Sequence, residues 1–396
     1  MEAPAIRNLG GPGGPGRPGG PGGPGGPGGF GGPGGPGGPG AGTPGVRRRP
    51  PAQVPPRMIS GGIDFKDLTA LLERTEKSGE DWVKVCEDLG DEDFTIAEAA
   101  IRDGHRLTAQ YFYLAAEVLY RLGQYGLHEP TPEKLHLNAR LNDAFSRAVA
   151  LYDPPYEEVN IPYKGYNMHG WLCMPKDAPE HCPVVLLIPG ATGFKEEAHT
   201  GARVMADRGL AYLAIDGPGQ GITRYVNGGL LEVENEDAHK VMIDWLQKDG
   251  RFGKIAIFGG STGGYYVART AAADHRLAAC VVLGGSYYPK EIADFAPPYL
   301  HHFAVLFGTD DATMRDVIFP KMTMDGLAEK IECPLLIVHG GADPLFSVTG
   351  VQRIYDEARS ADKTIKVYPN DWHCAAEHGE EVIRLISDWL VDHLMA

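Results

Sequence analysis

The sequence predicts an α/β fold, in which a doubly wound, mostly parallel sheet follows an N-terminal helical module and a Gly/Pro-rich tail. After residue 155, short apolar runs alternate with amphipathic segments of helical length, a pattern typical of strands and crossover helices. Several of the runs are apolar throughout, as expected for strands covered on both faces. The predicted strands are 184–188, 211–215, 254–258, 278–283, 335–339 and 365–368, with helices at 237–247 and 265–273 and a closing helix ending near 394.

The segment before the sheet has a helical pattern. Apolar residues recur at helical spacing in its longest stretch, for example at Ala115, Val118 and Leu122. Thr131 and Pro132 predict the N-cap and first position of a further helix. Because residues 59–152 contain no catalytic motif, we interpret them as a scaffold or lid module, followed by a catalytic domain over residues 153–396.

The first 58 residues form a separate region. From Gly10 to Gly40 every third residue is Gly, mostly in Gly-Gly-Pro triplets. A collagen-like stalk would have this period, but Gly fills most of the middle positions and raises the entropy cost of ordering. We therefore favour a disordered tail over a trimerising stalk.

Charge and cysteine usage restrict the class of protein. The net charge is −15, although the tail is basic, so the remainder is strongly acidic and nucleic acid is not an expected partner. The six Cys are scattered, without metal-binding spacing, which favours reduced thiols in a cytoplasmic protein. No apolar run reaches the length of a membrane span, so we expect no membrane association.

One segment predicts a nucleophile. Gly259-Gly-Ser261-Thr-Gly263 reads G-x-S-x-G and lies directly after an apolar strand and before a helix. A serine on such a sharp turn is exposed above the sheet, and glycines on both sides permit the close approach of neighbouring segments. We therefore predict that Ser261 is a catalytic nucleophile.

A serine nucleophile requires a base and an orienting acid, which follow it in that fold in the order acid, then histidine. Asp343 comes after the strand 335–339, and His373 follows the strand 365–368. We predict that these two residues complete a triad with Ser261. Asp371 is a rival for the acid, and His339 is interpreted as a packed neighbour of the site.

Backbone N–H groups must also stabilise the oxyanion of a tetrahedral intermediate. One predicted donor is Thr262, the residue after the nucleophile, and the second comes from the loop after an early strand. Ala191 is the first choice in that loop and Thr192 the second. The Lys195-Glu196-Glu197 run that follows is interpreted as a charged first helical turn.

Two further patterns carry no chemistry of their own. The segment 217–221, Gly-Pro-Gly-Gln-Gly, lacks the spacing of a nucleotide loop and is interpreted as a tight loop beside the pocket. His301 and His302 with Asp310 and Asp311 lack the spacing of a metal site. We expect neither a cofactor nor a metal. Residues 284–330 form a predicted lid insertion, rich in aromatic residues.

At these residues the chain resembles a branch of the α/β-hydrolases. The branch includes 2,6-dihydroxypseudooxynicotine hydrolase, the polyketide-shortening hydrolases of pigment pathways and the fermentation–respiration switch protein. The likeness extends over residues 60–396, including the 189–197 segment, the 216–221 loop, the Ser261 turn and the 371–374 segment. Where relatives have Glu after Gly-Gln-Gly, this chain has Ile222.

The resemblance implies an α/β-hydrolase fold, the triad of Ser261, Asp343 and His373, and a helical module that covers the site and supports a homodimer. It also implies a small-molecule substrate, because several members cleave a carbon–carbon bond next to a ketone in 1,3-dicarbonyl compounds. A carboxylic-ester hydrolase or an acyl-transferring cyclase is the near alternative. A non-catalytic, partner-binding protein is the alternative of a different class.

Overall fold

The computed structural model describes residues 46–50, 54–295 and 298–396. The repeating Gly-Gly-Pro segment lies outside the described residues, so its predicted disorder stays a prediction. Among the described residues, no helix is both long enough and apolar enough to cross a bilayer.

Five α-helices precede the sheet. Thr131 caps the fifth of them, because its hydroxyl accepts a hydrogen bond from the backbone N–H of Lys134. The helices pack around a core of their own that contains Leu71, Trp82, Leu119 and Leu141. Phe194, from the loop after a central strand, joins this core and so connects the helices to the sheet. Their bounds are α1 (Pro55–Ser60), α2 (Phe65–Leu72), α3 (Trp82–Arg102), α4 (Arg106–Gln124) and α5 (Pro132–Val149).

The sheet has eight strands in the order β1-β2-β4-β3-β5-β6-β7-β8. The hairpin of β1 and β2 is antiparallel and pairs antiparallel with β4, whereas all other neighbours are parallel. The strands are β1 (Glu157–Tyr163), β2 (Tyr166–Cys173), β3 (Cys182–Ile188), β4 (Ala211–Asp216), β5 (Phe252–Gly260), β6 (Ala279–Leu283), β7 (Leu335–Gly340) and β8 (Lys363–Tyr368).

Helices cover both faces of the sheet, which confirms the predicted doubly wound architecture. Successive side chains of a strand point to opposite faces. Leu186 of β3 accordingly lies in the core that contains Ile243 and Val267, and Val185 lies in the core that contains Met205 and Ile386. The helices are α6 (His199–Ala206), α7 (Gly221–Tyr225), α8 (Glu236–Asp249), α9 (Thr262–Ala273), α10 (Glu291–Phe295), α11 (Pro298–Phe307), α12 (Asp311–Thr313), α13 (Val348–Glu357) and α14 (Gly379–Leu394).

The sequence pattern detected six of the eight strands and missed the β1–β2 hairpin. In β1 buried residues alternate with exposed ones, so the strand contains no continuous apolar run. Such an edge strand is half-buried and lacks the signal that identified the central strands. Between β6 and β7 the chain forms the short helices α10, α11 and α12 of the predicted lid insertion.

Candidate active site

Ser261 lies on the turn between β5 and α9, with a backbone φ of +58°. This left-handed conformation is costly for a residue with a side chain. The flanking glycines permit the turn, since a Cβ on Gly259 would lie 2.4 Å from the Gly263 carbonyl oxygen. A Cβ on Gly263 would lie 2.3 Å from the carbonyl oxygen of Ile188. Close backbone packing therefore explains both glycines of the motif.

The structure brings Ser261, His373 and Asp343 into one chain of hydrogen bonds. The Ser261 hydroxyl donates to Nε2 of His373 over 2.8 Å, and Nδ1 of His373 donates to Oδ2 of Asp343 over 2.7 Å. Oδ1 of Asp343 accepts from the backbone N–H groups of Leu345 and Phe346, at 2.8 and 3.2 Å. Both carboxylate oxygens are therefore held, and the imidazole is fixed with its Nε2 lone pair toward the serine.

Burial and neighbouring charges shift the pKa values of this pair in opposite directions. Burial alone would raise the pKa of Asp343, but the nearby His373 and its hydrogen bonds lower it below the ordinary value. Burial lowers the pKa of His373, but Cys374 and the Asp343 carboxylate raise it by more, to a value above the ordinary 6.5. Asp343 is therefore a carboxylate that stabilises a protonated imidazole.

The two other candidates have different partners. Oδ2 of Asp371 lies 2.7 Å from Nδ1 of His378, so this carboxylate is engaged away from His373. His339 is buried, and its Nε2 donates to the carbonyl oxygen of Phe346 over 3.2 Å. The same nitrogen lies 3.7 Å from Oδ2 of Asp343, which makes His339 a neighbour of the acid.

The segment after His373 is also held in an unfavourable backbone conformation. Cys374 and Ala375 have φ values of +59° and +50°. The segment packs directly on Gly284, because a Cβ there would lie 2.7 Å from Sγ of Cys374. The histidine thus sits on a strained turn whose position depends on tight packing against the end of β6.

The predicted oxyanion donors flank Ser261. Thr262 is the first residue of α9, and Ala191 and Thr192 occupy a turn closed by a 3.0 Å bond from Gly193 N–H to the Gly190 carbonyl. Thr192 lines the cavity that contains Ser261, and the Ala191 carbonyl accepts from His302 over 3.2 Å. Their role in binding an oxyanion stays a prediction.

Gln220 supports this turn, a role that the sequence did not reveal. Its side-chain amide donates to the carbonyl oxygens of Pro189 and Gly190, at 2.8 and 2.9 Å. Its own oxygen accepts from the N–H of Gly217 over 3.1 Å, which closes the 217–220 turn. The 217–221 loop is therefore hydrogen-bonded to the turn after β3 and holds that turn in place.

Lys195-Glu196-Glu197 forms the predicted charged helical turn directly before α6, but two of its three charged side chains are buried and not exposed as in an ordinary first turn. Lys195–Ala198 forms a 3₁₀ turn in which the side chains of Lys195 and Glu196 are completely buried. Nζ of Lys195 contacts carboxylate oxygens of Asp216 and Glu196 and lies 3.2 Å from Oδ1 of Asn142 on α5. The sequence signal for this cluster was Asp216, an acid at the end of the fully buried strand β4, because a buried carboxylate requires a buried partner.

The histidines and acids set aside in the sequence also lie together. His301 lies within hydrogen-bond distance of Asp311 and Glu129, at 2.9 and 3.1 Å. His302 pairs instead with His128, with 3.0 Å between the two Nδ1 atoms. Within the described part of the chain, no group of three or more His, Cys, Asp or Glu side chains is arranged to hold a metal.

A cavity of about 240 Å³ opens beside Ser261 and His373. Its walls are mainly apolar and come from the ends of the central strands, from α6 and from α14. Residues of the helical module complete the cavity, together with the turn after β3. The apolar wall includes Leu187, Phe258, Leu283, Val382 and Ile383, and the charged lining residues are Arg57, Glu197, Glu380 and His373.

The fold is that of the α/β hydrolases. The family model described as "Serine aminopeptidase, S33" matches residues 312–378. The chain is similar to the 2,6-dihydropseudooxynicotine hydrolase of Paenarthrobacter nicotinovorans, with 26% identity over 86% of this chain and 91% of that protein. It is also 30% identical to the α/β hydrolase gkaG of Penicillium citrinum, over 59% of this chain and 58% of that one.

A solved structure shares the whole described architecture. The crystal structure of a 2,6-dihydroxy-pseudo-oxynicotine hydrolase matches with a TM-score of 0.77 and 25% identity, over 86% of this chain and 95% of that one. This match covers the helical module as well as the sheet. The chain is thus similar to the branch of hydrolases that its motifs indicated.

Proposed function

We propose that this chain is a serine hydrolase that forms an acyl-enzyme on Ser261. The observation that carries the proposal is the hydrogen-bonded series from Ser261 through His373 to Asp343, at 2.8 and 2.7 Å, beside a mainly apolar cavity. A serine hydroxyl becomes nucleophilic when a base removes its proton, and the base must be held in the correct tautomer. The three residues supply these functions.

In the first half-reaction, Oγ of Ser261 attacks a substrate carbonyl carbon and His373 takes the hydroxyl proton. The resulting oxyanion accepts hydrogen bonds from Thr262 N–H and from Ala191 or Thr192 N–H. The intermediate then expels its leaving group, which takes the proton from His373. In the second half-reaction His373 activates a water molecule, which releases the acid and restores the serine.

We propose a 1,3-dicarbonyl or polyketide-like compound as the substrate, with cleavage of a carbon–carbon bond. In that reaction the bond between the attacked carbonyl carbon and its neighbour breaks, and the electron pair is delocalised as an enolate. The enolate carbon then takes the proton held by His373. The similarity to a 2,6-dihydropseudooxynicotine hydrolase and to fungal α/β hydrolases supports this choice.

Ester hydrolysis and acyl transfer to an internal hydroxyl use the same acyl-enzyme. Turnover of aryl 1,3-diketones and of matched aryl esters, by the wild type and by Ser261→Ala, separates carbon–carbon bond cleavage from ester hydrolysis. We expect diketone cleavage that depends on Ser261. Rapid turnover of the esters alone would favour the carboxylic-ester hydrolase.

A catalytically inactive binding protein is the alternative of another class. A fluorophosphonate probe distinguishes it, because the probe reacts only with an activated serine. We expect labelling of the wild type and none of Ser261→Ala. The absence of labelling in both proteins, or equal labelling of both, would contradict the proposed enzyme.

A further inference from the structure

Three charged side chains line the cavity together with Ser261 and His373, and two of them have partners. The carboxylate of Glu197 accepts from the Tyr125 hydroxyl over 3.0 Å and lies 3.5 Å from Nη1 of Arg121. Glu380 forms an ion pair with Arg384, one turn along α14. The two acids of the wall are therefore already engaged.

Arg57 is different. Among residues 46–50, 54–295 and 298–396, its guanidinium makes neither a hydrogen bond nor an ion pair, although its side chain is half-buried. Its Cζ lies 5.5 Å from the centre of the Tyr125 ring, a contact that orients the group without using its N–H donors. The nearby Arg121, in contrast, donates to Glu117 over 2.7 Å.

Arg57 is also held at a fixed place. It lies on α1 next to Met58, which is buried in the core of the helical module. The helix packs against the start of α14, where a Cβ on Gly379 would lie 2.7 Å from the Cβ of Ser60. The backbone carbonyl of Arg57 accepts from Gly61 N–H over 2.9 Å, which closes the end of α1. The backbone that bears Arg57 is therefore held in place without a substrate.

A guanidinium keeps its charge at every physiological pH and carries five N–H donors in a planar fork that matches carboxylate oxygens. Leaving such donors partly out of water and unpaired is unfavourable. In a mainly apolar cavity shared with a nucleophile, the ligand that satisfies them is an anionic oxygen. The remaining wall is mainly apolar, which suits an apolar chain or ring in the rest of the substrate.

We propose that Arg57 recognises an anionic oxygen of the substrate, so that the preferred substrates are acyl compounds that carry a carboxylate or an ionised phenol or enol. The inference rests on the proposed function, because it places the substrate in the cavity beside Ser261. Arg57 acts here in binding and specificity. It has no part in the proton transfers of the triad.

Two matched substrate pairs test this inference. The first pair is a p-nitrophenyl ester whose acyl chain ends in a carboxylate and its methyl-ester analogue. The second is an aryl 1,3-diketone with an ionisable ring hydroxyl and its methoxy analogue. The readout is the ratio of kcat/KM for the charged and neutral members, measured in the wild type, Arg57→Gln and Arg57→Lys. Arg102→Gln is the control, because it removes the same charge from an exposed helix end.

We expect the wild type to favour the charged member of at least one pair, and Arg57→Gln to lower that ratio about tenfold or more, mainly through KM. Arg57→Lys should keep part of the preference and Arg102→Gln all of it. The pair that responds identifies the anionic group as a carboxylate or as an ionised hydroxyl.

Two outcomes would overturn the inference: no preference in the wild type, or an unchanged ratio in Arg57→Gln, which an equal loss on both members of each pair would give. Thermal unfolding of each variant shows whether the variant has lost its structure. If Arg57→Gln has, the ratio of Arg57→Lys is compared with that of the wild type instead. Ser261→Ala is tested separately with the same substrates. Turnover that survives Ser261→Ala contradicts the proposed function and leaves the role of Arg57 in binding to be judged from the ratios.

Discussion

Nζ of Lys195 lies 2.8 Å from Oδ2 of Asp216, and neither side chain has any exposed surface. The same ammonium contacts Glu196 and Asn142, so it joins the turn after β3, the end of β4 and helix α5. Asp216 in turn accepts from the backbone N–H groups of Lys195 and Ile222, both at 3.0 Å. This buried ionic cluster supports the loop that bears the predicted oxyanion donors.

Replacing Lys195 with Met is expected to destabilise the protein strongly. The change leaves the Asp216 and Glu196 carboxylates buried without their cation, and breaking a buried pair in this way costs about 3–5 kcal/mol. The free energy of unfolding in urea measures the loss. Lys84→Met is the control, because Lys84 forms a solvent-exposed ion pair with Asp88, and such pairs contribute little to stability. Equal effects of the two changes would contradict a structural role for the buried cluster.

The pH dependence of turnover follows from the surroundings of His373. The imidazole must be neutral to accept the serine proton, and its pKa is raised above 6.5 because Cys374 and Asp343 outweigh the effect of burial. Activity is therefore expected to fall as the pH decreases through a value above 6.5, which the acid limb of kcat/KM reports.

Asp343→Asn should lower turnover and move this limb to lower pH, because an amide cannot supply the negative charge of the carboxylate that raises the pKa of His373. The pH profiles of the two proteins, measured on one substrate, give the comparison. Thr349→Ser, an equally small change at an exposed site, should leave the profile in place. A limb at or below 6.5 in the wild type would contradict the raised pKa.

The glycines of the nucleophile turn provide a matched pair. Gly263→Ala places a Cβ 2.3 Å from the Ile188 carbonyl oxygen, so the backbone must move, whereas a Cβ on Gly260 meets no atom within 4 Å. We expect Gly263→Ala to lower the free energy of unfolding by about 1–3 kcal/mol, the range typical of overpacking, and to reduce turnover. Gly260→Ala should remain within about 1 kcal/mol of the wild type. Urea unfolding of both variants checks the prediction, and equal stability would contradict it.

Lys134 makes stability depend on pH. It is buried without a carboxylate partner among the described residues, and burial lowers its pKa from 10.5 to about 7. Between these pH values the unfolded chain binds a proton that the folded chain does not bind. This group therefore makes the protein more stable as the pH rises, by about 1.4 kcal/mol per pH unit.

Lys134→Met removes this contribution. The free energy of unfolding of the variant should exceed that of the wild type by more at about pH 7 than at about pH 9.5. Lys248→Met, at an exposed position of α8, should follow the wild type at both pH values. A constant difference between Lys134→Met and the wild type would show that Lys134 is charged in both states.

The hydrogen-bonded arrangement of the three predicted site residues was predictable because its signals are local. Ser261, Asp343 and His373 each lie within a few residues of the carboxyl end of a strand, and parallel strands bring these ends to one edge of the sheet. Strand recognition and chain order were therefore sufficient to select the three residues. Asp371 was a comparable candidate in sequence. The tertiary structure separates the two acids, because Asp343 lies 2.7 Å from Nδ1 of His373 whereas Asp371 lies 2.7 Å from Nδ1 of His378.

Other features depend on contacts between distant segments. The sequence by itself determined six of the eight described strands, the strained serine turn and the capped start of α5, because each depends on neighbouring residues. Only the tertiary structure decided that Lys195 is buried, that Gln220 clamps the Pro189–Gly190 turn and that Arg57 faces the cavity. Burial and pairing depend on which surfaces pack together. Residues far apart in the chain carry no local pattern that reveals which surfaces these are.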